Sequence, residues 1–508
     1  NNFTFSSAPS MPFMISRMLS VLLVTEAVSL ASPAFCGAAA RGVQLSPLRP
    51  CVYVLRSRSL SACSAAAAPS PSPPLAAPAS VNAAFSLGAI IAADAVLKII
   101  FIARAVSFPS SLAGSMILFG GLCSVRLVAP RLADGIFEAA KPGCGLIAKW
   151  LPIFFVPNLV LLPLVLKLGA AEAARLTILM LAGAVISVPL CAFAALAASG
   201  RAESTAPTPE AAASSPPAAP APKSFAAPLL RNLATAAAVC AAGAAAAFRA
   251  STLLPAAPLR DAFLLGATAT GFVGGSTLVP KSIQKVVHPL ITCTLFTHSA
   301  AAAFATAAGL SYQAVVRGYL VPGGAPLSAP GNVLLAMLGP ATLSFGFSMY
   351  EKRKLLMSSL PAVGGAVTAA SFGGLFGSAM AARAFGLSDA LTRACLPRQV
   401  TAPLAIAISG LVGADPGIAC TVVVLTGLLV ANFGRALLDA TGVKSPVARG
   451  LAMGAAGHGI GTAATAVEPA AFPFAAIAMV SNALASTVIV SIPPFRRALL
   501  AVAGLPAA

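Results

Sequence analysis

The chain has 508 residues, 58% hydrophobic and 9% charged, with mean hydropathy +0.91 and one Trp, a balance that excludes an ordinary soluble domain. Abundant Ala, Leu and Gly with sparse strand signals favour helices over a β-barrel, so the reading is an all-α polytopic membrane protein with about 12 transmembrane helices. The net charge of +19 does not mark a nucleic-acid binder: most basic residues stand singly at the ends of apolar runs, as lipid-headgroup anchors do, and no basic cluster has interleaved aromatics.

Residues 1–80 read as a targeting leader. In "MISRMLSVLLVTEAVSLASPAFCGAAARG", Arg17 precedes a mostly apolar run and then small residues, a signal-like grammar interrupted by Glu26. From Ala27 to Ala93 there is no acid, while Arg41, Arg49, Arg56 and Arg58 sit among Ser, Ala and Pro, which is transit-like. The order, with Phe35 at the junction, resembles the bipartite leaders of plastids acquired by secondary endosymbiosis. The alternative is a tail with no address. Either way, this composition predicts no packed core.

A first membrane module follows at 81–198, with helices expected near 82–104, 109–128, 146–167 and 171–198. Asp94 and Lys98 stand four apart on one helical face. They form either a proton-coupling carboxylate with its neighbour or a mutually neutralised pair. Pro109, Pro152, Pro157 and Pro163 lie in or beside apolar runs and should kink or break them. The stretch "SGRAESTAPTPEAAASSPPAAPAPKS" then opens a Pro/Ala/Ser-rich linker at 199–228 that cannot bury a core.

The second module, 229–508, holds eight or nine apolar segments. Two pairs of stretches rhyme: "LVPKSIQ" with "CLPRQVT" at 397 − 280 = 117, and "LAMLGP" with "LAMGAA" at 453 − 337 = 116. Two matches at nearly one offset point to a duplicated unit of about 116 residues, an arrangement secondary transporters use with broken helices at corresponding places. In "ARGLAMGAAGHGIGTAATAVEP", no charge falls between Arg449 and Glu468, yet Gly454, Gly457, Gly459 and Gly461 surround His458 and Thr462. Each glycine costs a helix about 1 kcal/mol relative to alanine. Close packing through small residues would explain the glycines. It explains neither His458 nor Thr462, so the expectation is a break facing a cavity, where bare amides and a helix N-terminus can hold an anion.

Ten cysteines lie scattered without CxxC or Cys/His spacing, so neither a disulfide framework nor a metal site is expected, and no cofactor. No GxSxG, HExxH or Walker loop occurs, which argues against an enzyme.

"SPVARGLAMGAAGHGIGTA", "LPRQVTAPLAIAIS" and "LLAMLGPATLSFGFSMYEKRKLL" resemble the LrgB/CidB family, while "PSSLAGSMILFGGL" and "WLPIFFVPNLVLLPL" resemble the LrgA/CidA family. The resemblance covers nearly all of 85–508 except the linker. An LrgA-like module fused to an LrgB-like one behind a plastid-type leader implies a multi-pass carrier of the chloroplast inner envelope. It would exchange glycolate for glycerate in photorespiration, with proton movement. Bacterial members carry Arg two residues after the signature Thr, where this chain has Ala464, so that arginine's role does not transfer.

For such a substrate the residues suggest a cationic, hydrogen-bonding cradle: Arg398, Gln399 and Thr401 in one repeat, and Lys281, Ser282 and Gln284 in the other. At the expected break, His458, Gly459, Gly461 and Thr462 join it, and His458 and Asp94 are the proton-coupling candidates. The alternative for Arg398 and Lys281 is headgroup anchoring. The partners expected are small hydroxy-carboxylate anions and membrane lipid; a homo-oligomer is compatible with this reading. The competing function is a holin-like pore or regulator of envelope integrity.

Overall fold

The computed structural model describes residues 79–106, 108–165, 168–200, 225, 227–250, 256–284, 287–321 and 323–506. The leader, apart from its last two residues, and most of the linker lie outside them. Among the described residues, every regular element is helical.

The chain opens with α1 (Ala79–Ala103), α2 (Ser110–Val128) and α3 (Pro130–Trp150). A 3₁₀ turn (Leu151–Phe155) then leads to α4 (Val156–Val165), and α5 (Ala170–Ala198) follows. Of these, α3 was not among the expected helices. Its Arg131, Asp134, Glu138 and Lys141 interrupt the apolar run, but they fall on a helix with one buried stripe: Ala133, Gly143, Ile147 and Trp150. Pro152 ends the α-helical geometry at the 3₁₀ turn, as a ring without an N–H should.

Then come α6 (Ala227–Ala250), α7 (Ala256–Thr277), α8 (Lys281–Gln284), α9 (Pro289–Ala308) and α10 (Tyr312–Arg317). They are followed by α11 (Pro330–Ala336), α12 (Leu338–Glu351), α13 (Arg353–Ser358), α14 (Leu360–Ala384) and α15 (Asp389–Cys395). The chain closes with α16 (Ala402–Val412), α17 (Pro416–Ala440), α18 (Pro446–Ala464), α19 (Phe472–Ser491) and α20 (Pro493–Val502). Among the described residues, ten helical stretches are long and apolar enough to cross a membrane, two of them joining neighbouring elements (α3 with α4, α11 with α12), and α16 is a shorter apolar helix. Several start on a cap followed by proline. Asp415 accepts from the Ile418 N–H at 2.9 Å ahead of Pro416, and Ser445 accepts from the Ala448 N–H ahead of Pro446.

One core runs through both halves of the chain, joining Leu87, Val188, Leu343, Leu404 and Ile477. Two seams close it. On one, α12 packs across α1, α2 and α3. There Tyr350 donates to Asp134 at 2.9 Å, Asp134 pairs with Arg126, and Arg353 lies over the Tyr350 ring. On the other, α5 lies along α14, α17 and α18.

α18 is not a single rod. His458 sits at φ 42°, ψ −138°, far from helical values, and the chain folds back there. Arg449 and Glu468 would be about 28 Å apart on a continuous helix, yet the Arg449 Nη2 to Glu468 Oε1 distance is 2.7 Å and Nε to Oε2 is 2.8 Å. A Cβ on Gly461 would come within 2.5 Å of the Met453 carbonyl, so the two arms touch. α18 is therefore a re-entrant hairpin with His458 at its tip, packed against α17 and α19. The 116-residue rhyme does not extend to this feature: 458 − 116 = 342, and Thr342 lies within the unbroken α12.

Candidate functional site

Pro397 prevents α15 from continuing, and the segment up to Thr401 crosses the interior as turns, with the Arg398 N–H bonded to the Cys395 carbonyl at 3.2 Å and the Val400 N–H to Pro397 at 2.9 Å. The three polar side chains of this break are all buried: Arg398 is 5% exposed, Gln399 3% and Thr401 5%.

Arg398 Nε donates to Ser378 Oγ of α14 at 2.7 Å. Gln399 is satisfied with its amide oxygen turned towards Arg398 Nη2 at 3.0 Å and Ser187 Oγ of α5 at 2.7 Å, and its nitrogen towards the Ala370 carbonyl at 3.3 Å. All these partners are neutral. Among the described residues, no carboxylate lies within ion-pair distance of Arg398. Arg449 shows the contrast, its charge being met by Glu468 and by Asp439 at 2.7 Å. An arginine in the membrane interior costs about 2.5–3.5 kcal/mol even on the lenient insertion scale. Arg398 is buried within the protein with no counter-charge of its own.

Thr401 occupies the cap position of α16, where its hydroxyl would ordinarily accept from the second or third helical N–H. The second residue is Pro403, which has no N–H, and the Leu404 N–H goes to the Thr401 backbone carbonyl at 3.0 Å. Thr401 Oγ1 is left buried without a partner. An unpaired hydroxyl at the positive end of an 11-residue helix, three residues from an uncompensated guanidinium, is an environment for an anion that also carries a hydroxyl.

Asn482 of α19, 1% exposed, joins this break to the hairpin. Its Nδ2 donates to the Gln399 carbonyl at 3.0 Å and to the Ala455 carbonyl at 2.9 Å. His458, at the tip, faces elsewhere. Its Nε2–H donates to the Val423 carbonyl of α17 at 2.8 Å, with Gly427 leaving room for the ring. Gly461 closes the two arms, and Thr462 donates to the Ala475 carbonyl of α19 at 3.3 Å, tying the returning arm to that helix. Gly459 is exposed at the tip, and a Cβ there would meet only Met479 Sδ, at 3.7 Å.

The other break lies apart in its bonding. Gln284 donates to the carbonyls of Gly275, Ser276 and Val279, finishing α7, and reaches none of the Arg398 cluster. The side chains of Lys281 and Ser282 lie outside the described residues. Asp94 is buried, held by Lys98 at 2.6 Å and by the Ser111 hydroxyl at 2.5 Å, against Gly339 of α12. The geometry is that of the neutralised pair. Sequence reasoning passed over Ser378, Asn482 and Ser187. Asn482 could have been noticed as the lone amide in the charge-free run between Glu468 and Arg496.

The helices, their shared core and the buried polar break define a polytopic α-helical membrane protein. Residues 268–494 match the LrgB-like family. The plastidal glycolate/glycerate translocator 1, chloroplastic, of Arabidopsis thaliana is 35% identical over 422 residues, covering 82% of this chain and 80% of that protein. Antiholin-like protein LrgB of Bacillus cereus (strain B4264) and of Bacillus anthracis (strain CDC 684 / NRRL 3495) are each 31% identical over 133 residues, 26% of this chain and 58% of theirs. No solved structure matches the chain significantly. The chain belongs to the LrgB-like family.

Proposed function

We propose that this protein is a secondary carrier of small hydroxy-carboxylates. It exchanges glycolate for glycerate across the plastid inner envelope in photorespiration, with coupled proton movement. The carrying observation is the buried Arg398 guanidinium, which has only neutral protein partners, with the unpartnered Thr401 hydroxyl three residues further along the same break. A carboxylate supplies the missing charge through charge-assisted bonds, and the hydroxyl on the adjacent carbon reaches Thr401 and the first turn of α16. The likeness to the Arabidopsis translocator supports this substrate class and a plastid location. Burial of Arg398 supports a carrier that closes over its substrate, since a water-filled pore would leave that charge wet.

Counterflow in proteoliposomes tests the proposal. Labelled glycolate should accumulate against internal glycerate, saturably and selectively, and respond to an imposed pH gradient. Unselective dye leakage would mark a pore and overturn the reading. Residues 1–80 fused to a reporter should deliver it to the plastid; a cytosolic or secreted reporter would remove the localisation.

A further inference from the structure

The five described helices ahead of residue 200 lie outside the matched stretch 268–494, and of them only α5 enters the site, through Ser187. A Cβ placed on Gly183 of α5 would lie 2.7 Å from Arg398 Cζ, 2.7 Å from Nη2 and 2.8 Å from Nη1. Three nearly equal distances put that missing atom over the face of the guanidinium plane, so Arg398 lies flat on the bare backbone of α5. One helical turn on, Ser187 Oγ, which also donates to the Gly183 carbonyl, lies 2.7 Å from the Gln399 amide oxygen, the same oxygen that accepts from Arg398 Nη2 at 3.0 Å.

The guanidinium is thereby fixed on three sides. Gly183 covers one face, Ser378 takes Nε, and Gln399, steadied by Ser187, takes Nη2. The edge at Nη1 is left for a ligand. Arginine is useful at such a place only if its planar fork is held in one orientation.

We propose that α5 is a wall of the anion site, with Gly183 and Ser187 as positioning residues that set the Arg398 plane. The N-terminal helices are then part of the binding apparatus and not only a scaffold. This rests on the carrier reading above.

The test measures KM and maximal exchange rate for glycolate in proteoliposomes of the full chain carrying Gly183→Ala, Ser187→Ala or Ser187→Thr, with Arg398→Lys as reference. Gly183→Ala and Ser187→Ala should each raise KM about tenfold, with the maximal rate kept within about twofold, while Ser187→Thr, which keeps the hydroxyl, restores KM. If Arg398→Lys raises KM and the α5 variants do not, the wall assignment falls and the carrier reading stands. If Arg398→Lys also leaves KM unchanged, the site itself is wrong. A lower amount of folded protein or a lower maximal rate at wild-type KM would make α5 merely structural and overturn the proposal. Should Gly183→Ala fail to insert, the Ser187 pair alone decides.

Discussion

Replacing Arg398 with lysine keeps the charge and removes the fork. Nε is committed to Ser378 and Nη2 to Gln399, so on the proposed reading a substrate carboxylate would be met from the Nη1 edge while the plane is held on both other sides. A lysine ammonium presents its donors from one point and cannot serve Ser378, Gln399 and a carboxylate in those directions at once. At least one charge-assisted hydrogen bond is lost, worth about 1.5–3 kcal/mol, and the apparent KM for glycolate and glycerate should rise roughly ten- to a hundredfold. The assay is initial-rate counterflow in proteoliposomes normalised to inserted protein. A second readout is thermal: glycolate at a free concentration L well above its Kd should stabilise the wild type by RT ln(1 + L/Kd), and should stabilise the variant less at the same concentration. Wild-type KM in a folded, inserted Arg398→Lys protein would refute the reasoning, because an arginine that merely anchors is replaced by lysine without loss.

Thr401→Val removes a buried hydroxyl that has no protein partner, so the empty protein should be as stable or more stable, while KM rises about three- to tenfold; unchanged KM would take the hydroxyl out of the site. His458→Gln should fold, since its amide can still donate to the Val423 carbonyl, and should flatten the pH profile of exchange; an unchanged profile at normal turnover leaves His458 with a structural part only. Glu468 is held below the usual carboxylate range, first by its hydrogen bonds from Arg449, so its contribution to stability is present above the ordinary glutamate range and lost as pH falls through the depressed value. The thermal midpoint of the wild type should therefore exceed that of Glu468→Gln near neutrality and converge on it in acid; a constant gap would contradict the pairing.

The break at His458 was legible because glycine is a poor helix former and four of them crowd one short stretch. That the arms fold back was also written there, in opposite charges closing an uncharged interval, but the spacing fits a straight span equally well. Arg398 stood out as the single charge between Arg393 and Asp415, and Pro397 announced the bend. Its surroundings stood out less: Ser187, Ser378 and Asn482 come from three other helices, and a lone hydroxyl in an apolar run has no local signature, so only the amide of Asn482 offered one. The charged segment 130–150 was passed over because Asp134 and Arg126 look costly until the fold supplies Tyr350 and Arg353 from more than two hundred residues away.

The hairpin also fixes the parity of the chain. Because α18 enters and leaves on one side, the C-terminal end of α17 and the start of α19 face the same compartment, and α18 adds nothing to the number of crossings. Counting "ARGLAMGAAGHGIGTAATAVEP" as a span would place everything after Glu468, including α20 and the basic pair Arg496 and Arg497, on the wrong side of the membrane. Single cysteines introduced at Gly442 and Pro469 should then label from the same face.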